Sequence, residues 1–532
     1  MRPGWAATGW SWSLLLALQG CGGPPESNYT LDFTPVLAEN QAPFDDVVAM
    51  DLVLRDGTTE IGRYAMDEVA SGASPDVGKL PPLSDTVVSI EGMDQAGDVV
   101  AVGYSTPLTM TDGEKSYDML VTETDAFAWL GGTGDEPIWG MAGASDGRGN
   151  FFLFGGITDR FYGGVSDQVL RLEIAPAGTL KFEAVATLPD HSTLSTGARS
   201  HSTATLLTGS HADAGKIVVI GGWDELGSFG AVTYQTLLFD PETLTFEEVD
   251  SSDALVYSRA EHGAIAMSSG DVVVYGGSTM AQNGQIEFYD AEERRFFVAE
   301  GSPEHDAWLA SGAPMGTNGA LVCGGVELDL NTSTYGAGTS IDSCYTVDVA
   351  GNVNTASSMP NFLVMPALTA LPDGRVLLTG GAEPPSNPFQ ALRANDGSDA
   401  DTLEATNESW IYDPESNAWE STGNMAVRRG GHSATALPDG RVLVVGGFSS
   451  ISDLYFAPDD GIACAEIYDP STARFTALDP TCAIGSTSGS LAGQVVLPLA
   501  LTDPIYGTVI TGGLDSELDA RTDVAIFTPT PD

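Results

Sequence analysis

The chain has 532 residues, 42% of them apolar, too many for one compact core of ordinary size and enough to fold as two units or one long repeat array. Its 73 acidic residues outnumber 21 basic ones and set a formal net charge of −52. Such a surface repels nucleic acid and anionic lipid headgroups, which excludes both as partners, and it reads as a solvated exterior suited to high ionic strength.

In chain order, the first segment is "MRPGWAATGWSWSLLLALQGCGG", with one Arg at position 2 and a short apolar stretch too brief to span a bilayer permanently. It ends in "LQGC", which resembles the cleavage box of bacterial lipoproteins, although Gln19 departs from the small residue usual there. The resemblance implies a signal peptide over residues 1–20 and lipid on Cys21. The alternative is an ordinary secretory peptide with an incidental Cys. Gly22, rather than Asp, follows the Cys, which resembles an outer-membrane address. The expectation is an exported protein held at the cell envelope, at the outer membrane or cell surface, touching the membrane through that anchor alone. No later segment is long and apolar enough to span.

Residues 21–44 are polar and carry prolines, as a tether does. Residues 45–124 hold alternating segments such as "DVVAMDLVLR", "TVVSIEG" and "DVVAVGYS", broken by Gly, Pro and Asp. They predict a small β-sandwich, Ig-like or transthyretin-like.

From residue 125 onward the chain repeats. Seven apolar runs end in a glycine pair: "NFFLFGG" (150–156), "KIVVIGG" (216–222), "DVVVYGG" (271–277), "GALVCGG" (319–325), "RVLLTGG" (375–381), "RVLVVGG" (441–447) and "GTVITGG" (507–513). Each reads as a buried strand, the glycines permitting tight packing or a positive φ. Hairpins such as "LLFDPETLTF" and "WIYDPESNAW" follow, with an aromatic before an Asp turn and another aromatic six residues beyond the Asp. Small-residue strands led by Arg and His precede, as in "GARSHSTATLL", "SRAEHGAIAM" and "RRGGHSATAL". Each unit therefore predicts four antiparallel strands, a to d, with the glycine pair closing strand b.

The glycine pair, aromatic-Asp hairpin and outer aromatic resemble the kelch repeat over about three quarters of the chain. The resemblance implies an all-β protein: a seven-bladed kelch-type β-propeller over residues 125–532, preceded by the small sandwich. The seventh unit lacks strand d. Residues 126–130 are expected to supply it beside residues 524–528, with Trp129 standing where Trp419 stands in the fifth unit. That clasp would remove two exposed edges.

Five cysteines occur. With Cys21 lipidated, Cys323, Cys344, Cys464 and Cys482 remain, an even number that favours two disulfides in an exported protein. Three connectivities are open; Cys323–Cys344 with Cys464–Cys482 closes the shortest loops.

Strand alternation places the short a–b and c–d turns on one face and the long b–c and d–a loops on the other, where binding is expected. Candidates there are Phe161, Tyr162, Trp223, Phe229, Tyr335, Tyr455 and Phe456, beside Asp224 and Asp459. Aromatic faces with acidic acceptors suit sugars or cationic peptides, although long loops of any acidic protein contain such residues. His201, His262 and His432, with Arg199, Arg259 and Arg429 just upstream, read as recurring at the same repeat position. Recurrence argues for a structural bridge between blades rather than catalysis. The acidic run at 396–401 lacks the distal Glu and central Gly of an EF-hand and reads as a mobile loop. No metal site and no cofactor are expected; calcium, which could offset part of the charge, is left open.

The kelch resemblance also admits enzymes. Copper chemistry in the galactose-oxidase branch needs two Tyr, two His and a Cys linked to one Tyr. No Tyr-His dipeptide occurs here, and the cysteines are otherwise assigned. Asp boxes, GxSxG, HExxH and P-loop sequences are absent. The reading is a monomeric, non-enzymatic scaffold binding a protein or glycan, with a carbohydrate-active enzyme, mutarotase- or oxidase-like, as the alternative.

Overall fold

Strand b of each repeat decides the architecture, because it is buried on both faces and needs a neighbour on each edge. In the computed structural model, strands are paired a–b–c–d in seven separate four-stranded sheets. The blades span residues 142–187, 203–248, 263–298, 311–356, 367–421 and 433–477, and the last combines 499–528 with 126–132. The structure describes residues 12–15 and 28–531 apart from 39, 67–82, 106, 111, 133–138, 159–163, 176–178, 191–196, 225–231, 280–284, 304–306, 330–336, 384–402, 452–460, 480–497 and 514–522. Cys21, most of the leader and the acidic run 396–401 fall outside the described residues.

The seven a strands touch one another in a closed cycle, blade 1 meeting blade 2 on one side and blade 7 on the other. Each b strand is completely buried between adjacent blades. The c–d hairpins turn on an Asp side chain. Asp240 Oδ1 accepts from the amides of Glu242 and Thr243 at 2.9 and 3.1 Å, and Asp413 and Asp469 serve the same turn in blades 5 and 6. The aromatics on c and d then pack across the sheet: Phe239 on Phe246, Tyr289 on Phe296, Tyr412 on Trp419 and Tyr468 on Phe475. In blade 4, Cys323 on strand b sits directly opposite Cys344 on strand c, and the two form a disulfide. Cys464 is also disulfide-bonded; Cys482 lies outside the described residues.

The ring is closed by the chain's two ends. Ala126 pairs with Thr528, Phe127 with Phe527, Ala128 with Ile526 and Trp129 with Ala525. This register corrects the expected correspondence. Phe127, packed on Phe527 with ring centroids 5.3 Å apart, holds the place of Trp419, and Trp129 lies two residues further along. The aromatic spacing alone could not tell which of two same-face residues meets the partner strand. Asp125 fastens the junction: its amide donates to Thr528 O at 2.8 Å and its carboxylate pairs with Arg441 of the blade 6 a–b turn at 2.6 Å.

The N-terminal strands form one hydrogen-bonded network: β1 (Trp12–Leu15), β2 (Asn28–Leu37), β3 (Ala49–Asp56), β4 (Thr59–Ala65), β5 (Leu83–Met93), β6 (Val99–Tyr104), β7 (Leu108–Met110) and β8 (Asp112–Glu123). Their order is β1-β2-β8-β6-β5-β3-β4, with β7 beside β5. In a flat sheet β2 and β3 would stand four strand spacings, about 19 Å, apart. Yet Phe33 of β2 shares a core with Leu52 and Leu54 of β3, and with Met119 and Val121 of β8. The sheet therefore folds over on itself, so the expected sandwich is two halves of one continuous sheet. Its outer face carries a buried ion pair, Arg55 to Glu91 at 2.7 Å. The unit docks on the turn face of the propeller. Tyr506, in the blade 7 a–b turn, stacks edge-on against Tyr104 and donates to Ser105 O; Arg148, in the blade 1 turn, pairs with Asp85. Among the described residues, no helix is long and apolar enough to cross a membrane.

Truncation of residues 523–532 removes strand c of blade 7 and leaves β9 (Ala126–Gly132) unpaired. The expected result is loss of a single sharp thermal transition in calorimetry; a melting curve like that of the full chain would show that the clasp is dispensable.

Candidate functional site at the channel mouth

The glycine pairs build the long-loop face. In all seven blades the first glycine has φ between 52° and 70° and the second between 79° and 112°, both in the left-handed region. This bends the chain just past strand b, where it meets the next blade. A Cβ at Gly155 would lie 2.1 Å from Arg199 O, and one at Gly380 2.1 Å from Arg429 O. The amide of the second glycine uses that proximity: Gly156 donates to Arg199 O at 2.8 Å, Gly222 to Arg259 O at 2.9 Å and Gly381 to Arg429 O at 2.9 Å.

The three arginines are buried beside their own strand c. Arg259 pairs with Glu287 at 2.6 Å and Arg429 with Glu466 at 2.7 Å, all four side chains fully buried. Each glutamate also accepts two amides of the crossover before its arginine, Val256 and Tyr257 in blade 3, Ala426 and Val427 in blade 6. Such pairs hold geometry because losing either partner strands a buried charge, at about 3–5 kcal/mol. Blade 2 differs. Arg199 meets the neutral amide oxygen of Gln235, and burial pulls its guanidinium down to about 10.

The histidines do not share one place. His262 and His432 stand three residues after their arginines, whereas His201 stands two after Arg199. His262 Nε2 lies 3.0 Å from Thr203 Oγ1 of blade 2, and His432 Nε2 lies 2.8 Å from Thr379 Oγ1 of blade 5, so both bridge neighbouring blades. Burial, with the adjacent arginine, pushes each imidazole down to about 3. His201 instead has a positive φ of 53°. It belongs with Gly140, Glu261, Leu309, Met365 and Gly431, each two residues before its strand a and each with positive φ. These residues ring the channel where the innermost strands begin. Backbone bonds chain them: His201 N to Gly140 O at 2.6 Å, Glu261 N to His201 O at 3.0 Å, Gly431 N to Met365 O at 3.1 Å.

Side chains of chemical interest occupy one arc of that ring. Trp139 of blade 1 lies edge-on to His201 of blade 2, ring centroids 5.3 Å apart. Glu261 of blade 3 accepts from Trp308 Nε1 of blade 4 at 2.8 Å. Trp139 and Trp308 hold the same place in their blades, one residue before the positive-φ position. Trp308 is buried, while Trp139, His201 and Glu261 are partly open. Desolvation holds the His201 imidazole below its usual range, against the pull of Glu261. At the same position blades 5 and 6 carry Met365 and Gly431, so among the described residues of this ring the polar groups lie on one side.

Of the sequence-predicted ligand-face residues, Trp223 and Asp224 are described. Trp223 follows the blade 2 glycine pair and bridges Ser200, next to His201; Asp224 Oδ1 is buried without a hydrogen-bond partner. Phe161, Tyr162, Phe229, Tyr335, Tyr455, Phe456 and Asp459 lie outside the described residues. Trp139, Glu261 and Trp308 escaped the sequence reading because they sit in the d–a crossovers, whereas its candidates came from the b–c loops. The one-residue offset of His201 from its arginine was the available signal.

Topology defines the chain as a seven-bladed β-propeller. Neither a family model nor a curated protein matches it. Among solved structures, YjhT is similar at 15% identity and TM-score 0.42, over 65% of this chain and 99% of that one. A fungal alcohol oxidase of the AA5 family, in complex with copper, is similar at 16% identity and TM-score 0.49, over 75% of this chain and 76% of that one. His201 is the one imidazole on its ring of positive-φ residues, and no group of three or more His, Cys, Asp or Glu among the described residues could hold a metal.

The buried histidines make stability pH-dependent. Their unfolded-state pKa is about 6.5 and the folded values are about 3 for His262 and His432. The unfolded chain therefore binds more protons between those limits, and stability falls as pH drops through that window. Thermal melting at pH 7 and pH 5 should show a fall in midpoint that is shallower in His262→Gln/His432→Gln.

Proposed function

We propose that this protein is an exported, lipid-anchored and monomeric kelch-type binding protein, without catalytic turnover, which takes a protein or glycan ligand at the long-loop face of its propeller. The arc of Trp139, His201, Glu261 and Trp308 carries the reading. It gathers partly open aromatic, imidazole and carboxylate groups from three consecutive blades onto a rigid rim backed by the buried Trp308 of a fourth, the arrangement by which few polar groups orient a ligand on a stiff scaffold. The N-terminal unit supports it, because that unit is docked on the opposite, turn face through Tyr506 and Arg148. A chain anchored through lipid on Cys21 would thus present the mouth away from the bilayer. The charge of −52 keeps nucleic acid and anionic lipid from competing.

Two experiments test the reading. Metabolic labelling with an alkyne fatty acid should tag the wild type and leave Cys21→Ser unlabelled; equal labelling would remove the lipid anchor. Glycan arrays and protein pull-downs should give a ligand whose binding is lost in Trp139→Gly/His201→Gly. Blade 6 carries Gly430 and Gly431 at these positions, so the fold tolerates the change. Unchanged binding in a variant of unchanged melting temperature would move the site elsewhere.

A further inference from the structure

The charge balance of the arc narrows the ligand. Glu261 is partly open and receives one hydrogen bond, from Trp308 Nε1, and no cation pairs with it among the described residues. The nearby arginines are engaged behind the mouth: Arg259 with Glu287, Arg429 with Glu466, Arg199 with Gln235. His201, whose backbone carbonyl accepts from Glu261 N, has its imidazole held below its usual range by desolvation. Asp224 adds a second carboxylate on the blade 2 side, with Oδ1 buried and lacking a donor. A carboxylate fixed in a partly desolvated place and left without a counter-charge favours a donor that brings one, since a charge-assisted hydrogen bond is roughly twice as strong as a neutral one. The partly open Trp139 indole, two blades away on the same rim, adds an aromatic ring of the kind that attracts a cation. Among the described residues of this arc, an anionic ligand would meet carboxylates and no free cation.

We infer that the channel mouth is a receptor site for a protonated amine, with Glu261 as its counter-ion. This rests on the mouth being the binding site, as proposed above. The shared chemistry, an ammonium group, can come from an amino sugar or from a lysine side chain, and the overall negative field raises the local concentration of either.

The test uses the full chain in titration calorimetry with three probes: an oligomer of glucosamine, the same oligomer fully N-acetylated, and a lysine-rich peptide. At least one amine-bearing probe should bind at least tenfold more tightly than the acetylated oligomer, and which one it is assigns the source. Glu261→Gln should remove at least tenfold of that affinity. Glu261→Gly, which places at this positive-φ position the residue found at Gly140 and Gly431, should do the same with the melting temperature kept. Trp308→Phe, which deletes the competing N–H donor but keeps a ring, should leave amine binding equal or tighter. Equal binding of the acetylated oligomer, or amine affinity within twofold of wild type in both Glu261 variants, overturns the inference and leaves the binding reading standing. Absence of binding by all three probes also overturns it, and the glycan and protein screens then decide the broader reading on their own.

Discussion

The amide of the second glycine, which in three of the pairs reaches the backbone carbonyl of the next blade, is the contact on which the described ring depends most directly. Gly156, Gly222 and Gly381 each donate to an arginine carbonyl across a blade boundary. That bond requires the chain to turn through two consecutive positive-φ residues just where the neighbouring backbone leaves no room for a Cβ. Only glycine meets both demands without strain. The seven-fold repetition of the pair is therefore a consequence of how blades touch, and strand b, buried on both faces, follows from the same contact.

Around this backbone lock, buried polar groups fix the crossovers. Glu287 and Glu466 each satisfy an arginine and two amides, so the segment leading to strand a has one conformation. His262 and His432, neutral in the interior, tie one blade's edge to the next through a threonine hydroxyl. These groups serve the scaffold and are spent within it. The adjacent positive-φ position is different. Its side chain is not needed for packing, and glycine occupies it in blades 1 and 6, so a propeller can vary it freely. Here it carries His201 and Glu261 in neighbouring blades, framed by tryptophans from the blades on either side. Asymmetry at the mouth thus arises from the one inner position the repeat leaves unconstrained.

Closure and presentation are joined at one place. Asp125 lies between the N-terminal sheet and strand d of blade 7, with its amide on Thr528 and its carboxylate on Arg441. The same junction brings Tyr104 against Tyr506, so the strand that shuts the ring also seats the N-terminal unit on the turn face. The long-loop face and its mouth stay clear of that unit.

The sequence by itself determined the blade number, the strand order within each blade and the strand that closes the ring. Glycine pairs, aromatic-Asp hairpins and alternation are local patterns, each tied to a backbone requirement that does not depend on distant residues. It left three pairings of four cysteines open, and the Cys323–Cys344 bridge between opposed b and c strands belongs to the one with the shortest loops. Tertiary structure alone decided that Phe127, not Trp129, meets the aromatic of strand c, since register is set by the partner strand. It alone folded the N-terminal sheet over its own core. And it alone assembled Trp139, His201, Glu261 and Trp308: more than 160 residues separate the first from the last in the chain, and only the circular stacking of blades sets them side by side.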